Sequence, residues 1–238
     1  MRLILLPGMD GTGQLFSPLR HALAECGHEI QARVIPYPQA CLSYAELTDY
    51  VQAQLPAQEA FIVLAESFSG PVAYQLARRA IPNMRAMILV ASFLRNPNPD
   101  LLWLSRILPL SVLLRFSPPD QIIKKWMLGD KASDEQLREF KSVLKSVPNK
   151  VIIFRLAQIA RLSLNLQTIN LETISLPVYY LQAVNDRLVD KNNIHDVQRV
   201  SPDLKSIEMD GPHFILQTKP RECARYITEQ VRLLIDKC

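Results

Sequence analysis

Three side chains in the sequence, Ser67, Asp186 and His213, are of the types that together perform nucleophilic catalysis. A serine hydroxyl is a poor nucleophile near neutral pH and needs a base, a role that histidine fills most often. A carboxylate can hold the imidazole in the tautomer that accepts the serine proton. Chemistry of this kind requires a fold that brings three residues distant in sequence to one place.

Ser67 lies in the segment Ala65-Glu66-Ser67-Phe68-Ser69-Gly70, between an apolar run at 59–64 and a segment with helical spacing. The small residues Ala65 and Ser69 leave room for a sharp strand-to-helix turn, which exposes a serine hydroxyl. Gly70 lets the new helix pack closely against the strand. The alternative interpretation is that Ser67 only caps the helix, since serine is a common N-cap residue.

The elements around these residues alternate between strands and helices, which predicts a mainly parallel sheet with right-handed crossovers. The carboxyl ends of such strands converge on one crevice. Ser67, Asp186 and His213 each follow a predicted strand, so we expect them to meet there. The predicted strands are 2–6, 29–35, 60–65, 84–91, 177–183 and 205–209, and the predicted helices are 16–26, 44–55, 72–81, 192–200 and 220–235.

The loop after the first strand reads Pro7-Gly8-Met9-Asp10-Gly11-Thr12-Gly13. A dinucleotide loop would need glycine where Phe16 stands, and there is no Gly-Lys-Ser/Thr of a phosphate loop. The loop therefore either presents backbone N–H groups beside a helix start or is a plain connection. We expect Asp10 to order the loop through hydrogen bonds to nearby amides.

The order Ser, Asp, His at successive strand ends resembles that of the α/β-hydrolase superfamily. The segment around Ser67 resembles its nucleophile turn, although Ala65 and Ser69 replace the two glycines of G-x-S-x-G. The segment 185–189, Asn-Asp-Arg-Leu-Val, resembles the acid loop, and Gly-Pro-His-Phe at 211–214 resembles the histidine turn. The resemblance covers nearly the whole chain.

The resemblance implies an α/β-hydrolase fold, with a mainly parallel sheet of about six strands flanked by helices. Ser67 would be the nucleophile, His213 the base and Asp186 the acid that orients the imidazole. The backbone N–H groups of Met9 and Phe68 would form the oxyanion hole.

The other histidines and nearby acids are weaker candidates for the base and the acid. His21 and His195 lie in predicted helices and His28 in a turn. Two further acids also have simpler interpretations, since Asp190 is expected to cap the next helix and Asp210 is only three residues from His213. Glu66, beside the nucleophile, has no role that the sequence explains.

Between residues 93 and 165 strand-like runs disappear, and helical segments alternate with prolines. We therefore expect a core domain of residues 1–92 and 166–238, with a helical cap (lid) at 93–165. The insertion carries 12 Lys or Arg against 6 Asp or Glu, whereas the whole chain has a net charge of only +4. The pattern favours a basic lid over an apolar site, although a solvated charged surface would look similar. Its apolar residues include Leu101, Leu102, Trp103, Leu104, Ile107, Leu108, Leu113, Leu114, Phe116, Trp126 and Met127.

The resemblance implies a serine hydrolase that cleaves a carboxylic ester with an apolar acyl group through an acyl-enzyme intermediate. Similar proteins include carboxylesterases that demethylate pimeloyl groups on acyl carrier protein, and a basic cap would suit that acidic partner. An acyl thioesterase or an acyltransferase would use the same triad. A third alternative is a non-catalytic relative of the fold that acts in binding or signalling.

Composition narrows the remaining classes of function. The four cysteines lack metal-like spacing, and no sequence feature indicates a cofactor or metal. The net charge is too weak to indicate nucleic-acid binding. Because no apolar run is long enough to span a bilayer and no signal-like segment opens the chain, the sequence predicts a cytoplasmic enzyme.

Overall fold

The computed structural model describes residues 1–27, 30–98, 119–164 and 171–235. His28, Cys238 and the lid residues predicted between 101 and 116 lie outside these ranges. No helix in the described ranges is both long and apolar enough to cross a membrane.

The core of the fold is a six-stranded sheet in which every strand is parallel to its neighbours. This arrangement confirms the predicted fold class. Apolar residues alternate between the two faces of the inner strands, as in Leu3, Ile4, Leu5 and Leu6, which pack against different helix layers. The strands are β1 (Arg2–Leu6), β2 (Gln31–Val34), β3 (Phe61–Glu66), β4 (Met84–Val90), β5 (Val178–Ala183) and β6 (Lys205–Met209), in the order β2-β1-β3-β4-β5-β6.

Helices cover both faces of the sheet. They are α1 (Ser17–Glu25), α2 (Tyr44–Gln52), α3 (Gly70–Arg78), α4 (Asp120–Ile123), α5 (Asp134–Ser146), α6 (Asn149–Leu164), α7 (Asn193–Val200), α8 (Ile215–Thr218) and α9 (Pro220–Ile235). One layer contains α2, α3 and α7, and the opposite layer contains α1, α8 and α9.

The strand order places the loops after β1, β3, β5 and β6 at one edge of the sheet. The direction in which strands are added reverses at β1. Leu6 of β1 pairs with Ala65 of β3, so the loop after β1 lies beside Ser67. Ala183 of β5 pairs with Met209 of β6, so the loops that carry Asp186 and His213 are also neighbours. A crevice at the carboxyl ends of the strands, next to such a switch point, is where open α/β sheets bind ligands.

The described part of the segment between β4 and β5 contains helical elements only: α4, a π-helical turn at Lys124–Leu128, α5 and α6. Buried residues of α5, such as Phe140 and Val143, form a cluster that packs against Phe214. A second cluster around Val151 of α6 packs against Met9. This segment therefore lies over the carboxyl end of the sheet.

Candidate functional site

Ser67 occupies a sharp turn between β3 and α3 with a φ of 47°, a left-handed conformation that is rare for residues other than glycine. The turn is supported from behind, because Ser92 Oγ donates a hydrogen bond of 2.6 Å to the Ser67 carbonyl. Gly70 lies so close to the next loop that an added Cβ would be 2.3 Å from the Phe93 carbonyl oxygen. Position 70 therefore leaves no room for a side chain, and the close approach is to the loop after β4 rather than to the preceding strand.

Ser69, where the motif usually has glycine, uses its hydroxyl to hold the turn in place. Ser69 Oγ lies 2.5 Å from the Tyr37 hydroxyl and donates to the carbonyl of Pro7. The turn is therefore tied to the loop after β1 and to the segment after β2. Sequence analysis did not identify Tyr37, because its partner is 32 residues away and contact depends on the fold.

The structure brings Ser67, His213 and Asp186 together. His213 Nε2 lies 2.9 Å from Ser67 Oγ, and His213 Nδ1 lies 2.7 Å from Asp186 Oδ2. Asp186 Oδ1 accepts hydrogen bonds from the N–H groups of Leu188 and Val189, at 2.8 and 2.9 Å. Both carboxylate oxygens thus have partners, and the side chain is held facing the imidazole.

The environment of His213 favours its protonated form. Burial opposes the charge, but the negative charge and hydrogen bond of Asp186, with a smaller effect from Glu66, outweigh it and raise the pKa of His213. A base with a raised pKa accepts a proton from a hydroxyl more readily, provided that it is neutral at the working pH.

The rival residues lie elsewhere and have partners of their own. His21 lies beside a glutamate of its own helix, and His195 contacts a glutamine one turn away. Asp190 accepts a hydrogen bond from a backbone N–H at the start of α7, and Asp210 pairs with Lys219. Neither acid contacts His213 in the described hydrogen bonds and ion pairs.

The loop after β1 lies beside Ser67 and is internally ordered. Asp10 Oδ1 accepts hydrogen bonds of 2.8 and 2.5 Å from the N–H and hydroxyl of Thr12, as predicted for a residue that orders its own loop. The Gly11 N–H donates to the Gly8 carbonyl at 3.0 Å. Met9 follows Gly8, and both Met9 and Ser67 line the same cavity.

That cavity has a volume of about 280 Å³ and opens onto the Ser67 hydroxyl and His213. Its described wall is mainly apolar and comes from the sheet loops and from the helices of the insertion. Such a wall suits an apolar group that has no hydrogen-bonding atoms. The apolar lining residues are Met9, Leu15, Phe93, Pro97, Met127, Phe140, Val143, Leu144, Leu156, Ile159, Leu188, Val189 and Phe214.

The sequence matches the model of the Hydrolase_4 family, described as serine aminopeptidase, S33. The match spans residues 27–209, well over half of the chain, and includes Ser67 and Asp186. The chain belongs to this α/β-hydrolase family. A search of curated protein sequences found no significant match to the hydrolase.

Solved structures resemble the hydrolase over almost its whole length. A malate-bound thermophilic esterase from Thermogutta terrifontis is 15% identical, with a TM-score of 0.76 over 98% of this chain and 90% of that chain. A carboxylesterase structure from the thaumarchaeon Nitrososphaera gargenis is 12% identical, with a TM-score of 0.75 and coverages of 100% and 92%. The enol-lactonase from Burkholderia xenovorans LB400 is 14% identical, with a TM-score of 0.73 and coverages of 99% and 91%. At these identities the likeness establishes the fold.

Three ionisable side chains of the hydrolase are buried around the loop after β1: Asp10, Glu66 and Arg155. Burial raises the pKa of Asp10 and lowers that of Arg155. Sequence analysis missed Arg155, whose only signal is a single cation within the apolar run Val-Ile-Ile-Phe-Arg-Leu-Ala. Within the described residues, no group of three His, Cys, Asp or Glu side chains is arranged to hold a metal ion.

Glu66, beside Ser67, has no role that is evident from its sequence context. It is buried beside the cavity, and its Oε1 accepts a hydrogen bond of 2.9 Å from Gln217 Nε2. Burial raises its pKa from 4.5 to about 7, although the bond from Gln217 opposes the shift. Gln217 Oε1 is itself buried without a hydrogen-bond partner among the described residues. Burial thus favours the neutral form of Glu66 below about pH 7.

We expect Glu66→Gln to stabilise the hydrolase at alkaline pH. Because the folded-state pKa of Glu66 is raised, wild-type stability is lost as pH rises from about 4.5 through 7, and glutamine avoids this loss. The gain in unfolding free energy should be near zero at pH 4 and about 3 kcal/mol at pH 8, because the pKa of Glu66 is about 7 in the folded protein and 4.5 in the unfolded chain. Urea denaturation at the two pH values measures it, with the exposed Glu208→Gln as a control. Equal gains at both pH values would contradict this assignment.

Proposed function

We propose that the protein is a serine esterase that hydrolyses a carboxylic ester with an apolar acyl group. The observation that carries the proposal is the contact of His213 with both Ser67 Oγ and Asp186 at the wall of an apolar cavity. A free-standing helix cap would not need an imidazole against its hydroxyl, nor a buried carboxylate behind that imidazole.

In the first half of the reaction, Ser67 Oγ attacks the carbonyl carbon of the ester while His213 Nε2 takes the hydroxyl proton. The negative charge that develops on the carbonyl oxygen is stabilised by the backbone N–H groups of Met9 and Phe68. Collapse of the tetrahedral intermediate breaks the bond to the alcohol, which leaves with the proton from His213. The acyl group remains on Ser67 Oγ.

In the second half, His213 removes a proton from water, and the resulting hydroxide attacks the acyl carbon. The bond to Ser67 Oγ breaks, His213 returns the proton to that oxygen, and the carboxylic acid departs. Throughout both halves, Asp186 stabilises the imidazolium that forms. An alcohol in place of water would give acyl transfer, and a thioester in place of an ester would be hydrolysed by the same steps with a thiol as the leaving group.

Apolar lining favours esters over the peptide substrates named in the family description. An aminopeptidase must bind the charged α-ammonium of its substrate, and a desolvated ammonium needs a charged or hydrogen-bonding partner. The two carboxyl groups in the described cavity wall, Asp10 and Glu66, already accept hydrogen bonds from Thr12 and Gln217. Burial also raises the pKa of both carboxyls, which disfavours the negative charge that an ammonium group needs from its partner.

An acyl chain attached to an acidic carrier protein is a further candidate substrate. Residues 93–165, which we take as a cap over the site, carry more basic than acidic residues. Two of the cap lysines are already paired, Lys124 with Asp134 and Lys141 with Asp120. Lys125, by contrast, is exposed on the π-helical turn close to the cavity residue Met127.

Active-site labelling combined with a substrate panel tests the proposal. A fluorophosphonate probe should label the protein once, at Ser67, and mass spectrometry of the labelled peptide identifies the site. The panel contains p-nitrophenyl esters of increasing chain length, an acyl thioester, a carrier-linked methyl ester and an aminoacyl p-nitroanilide. We expect ester turnover to exceed that of the anilide.

The outcomes separate the alternatives. Absence of labelling at Ser67 would contradict a catalytic role and favour a binding protein. Preferential turnover of the thioester would replace esterase by thioesterase, and turnover of the anilide alone would indicate a peptidase. A preference for the carrier-linked ester that disappears at high salt would support charge-based recognition of a carrier.

A further inference from the structure

We infer that Arg155 is a positioning residue that holds the loop after β1 in the geometry that an oxyanion requires, an inference that rests on the proposed esterase activity. Arg155 lies on α6, in the insertion, and is only 1% exposed. Its Nη1 donates hydrogen bonds of 2.8 Å to the carbonyls of both Met9 and Asp10. Its Nη2 donates one of 3.0 Å to the carbonyl of Pro38.

These contacts restrict the backbone of Met9 and Asp10, next to the proposed oxyanion donor. The peptide plane is rigid, so two carbonyls held by one nitrogen restrict the ψ angle of Met9 and both dihedral angles of Asp10. The first of these carbonyls belongs to Met9 itself, and only the Cα atom separates it from the Met9 N–H, the proposed oxyanion donor. An oxyanion hole works because its donors are oriented before the charge develops, so a loop free to rotate would lose much of the effect.

Arg155 also contacts the other half of the proposed oxyanion hole. The guanidinium carbon lies 6.0 Å from the ring centroid of Phe68, whose N–H is the second proposed donor, and 5.8 Å from that of Tyr37. Tyr37 in turn contacts Ser69 in the turn that carries the nucleophile. One buried cation therefore joins the insertion, the loop after β1 and the nucleophile turn.

The sequence of the loop leaves space for this side chain. A Cβ on Gly11 would lie 2.4 Å from Arg155 Nη1, and the φ of Gly11 is 71°. Position 11 thus excludes side chains for two independent reasons. The planar guanidinium, with donors in a fixed fork, suits three carbonyls better than a lysine ammonium does. Placing a cation here is costly, since burial lowers the pKa of Arg155, and the hydrogen bonds to carbonyls offset that cost.

The test compares Arg155→Met and Arg155→Lys with Arg161→Met, which removes an exposed arginine from the same helix. For a small p-nitrophenyl ester, Arg155→Met should lower kcat by about 100-fold, the effect of impairing an oxyanion donor. The KM should change little, because the Met9 N–H stabilises the oxyanion in the transition state rather than the bound ester in its ground state. Affinity for a trifluoromethyl ketone, which forms a tetrahedral oxyanion on Ser67, should fall by a similar factor. Arg155→Lys should give an intermediate loss.

Chemical rescue adds a readout that a purely structural role would not give. In Arg155→Ala, guanidinium at concentrations well below denaturing ones should restore part of kcat, whereas equal concentrations of sodium should not. Circular dichroism shows whether each variant is folded, and Arg155→Lys replaces Arg155→Met if the latter is not.

Wild-type affinity for the ketone in a folded Arg155 variant would overturn the inference. A loss of kcat equal to that of Arg161→Met would do the same. Neither result touches the esterase proposal, which fails instead if Ser67→Ala retains wild-type turnover of the same ester.

Discussion

Replacement of Ser67 by alanine is expected to lower kcat for a p-nitrophenyl ester by about 10⁶-fold, as the loss of a triad nucleophile does elsewhere. The reason is that His213 Nε2, 2.9 Å from Ser67 Oγ, then has no hydroxyl to deprotonate and no acyl-enzyme forms. Residual turnover would come from the oxyanion hole and substrate binding alone. Alanine adopts the φ of 47° at a cost similar to that of serine, so the fold should persist.

Steady-state kinetics on the ester identified in the panel measure the effect, with thermal melting as the check on folding. The matched control is Ser206→Ala, which removes an exposed hydroxyl from β6 and should leave kcat unchanged. Substrate binding should survive in Ser67→Ala, so a product-like carboxylic acid should raise the melting temperature of the variant as much as that of the wild-type protein. A loss of less than tenfold in the folded variant would exclude Ser67 as the nucleophile.

The order of strands and helices could be predicted from the sequence because each element has a local sequence pattern. Short apolar runs ended by Gly, Pro or polar residues mark the strands, and the parallel order makes their carboxyl ends converge. Ser67, Asp186 and His213 could therefore be placed at one edge without knowledge of any contact. The element bounds were less accessible, as in α2, which ends at Gln52 rather than near Leu55.

The buried polar contacts around Ser67 and His213 could not be predicted in the same way. Arg155 meets Met9 across 146 positions and Gln217 meets Glu66 across 151, and neither pair has a sequence signature. A buried arginine or glutamate is costly until its partners are known, so pattern alone assigns such residues to a solvated surface. The same holds for Ser69, whose hydroxyl contact with Tyr37 explains why this turn does not have glycine.

A second large effect is expected for Asp186→Asn, which should lower kcat/KM by about 10⁴-fold although the side chain keeps its size. The N–H groups of Leu188 and Val189 both point at Asp186 Oδ1 and require an acceptor there. The asparagine oxygen is therefore held at that position, and its NH₂ group is placed against His213 Nδ1. The imidazole then accepts at Nδ1 and carries its proton on Nε2, where it cannot take the proton of Ser67.

The pH profile separates this tautomer effect from simple disruption. Asp186 raises the pKa of His213 by its charge and hydrogen bond, against the effect of burial. In the wild-type enzyme, activity should therefore rise with pH through a pKa above the ordinary value of 6.5, as the imidazolium loses its proton. In Asp186→Asn this rise should move to lower pH, because the charge that favours the imidazolium is gone.

Asp190→Asn and Asp210→Asn are the matched controls, since each neutralises an exposed carboxylate in the neighbouring loops. Asp190 contacts the start of α7 and Asp210 contacts Lys219, so neither change should alter the imidazole tautomer. Both should retain kcat/KM within about threefold, in line with the small energies of exposed charge pairs. If Asp186→Asn were as active as these controls, His213 would be oriented by another group, and the assignment of the acid would be wrong.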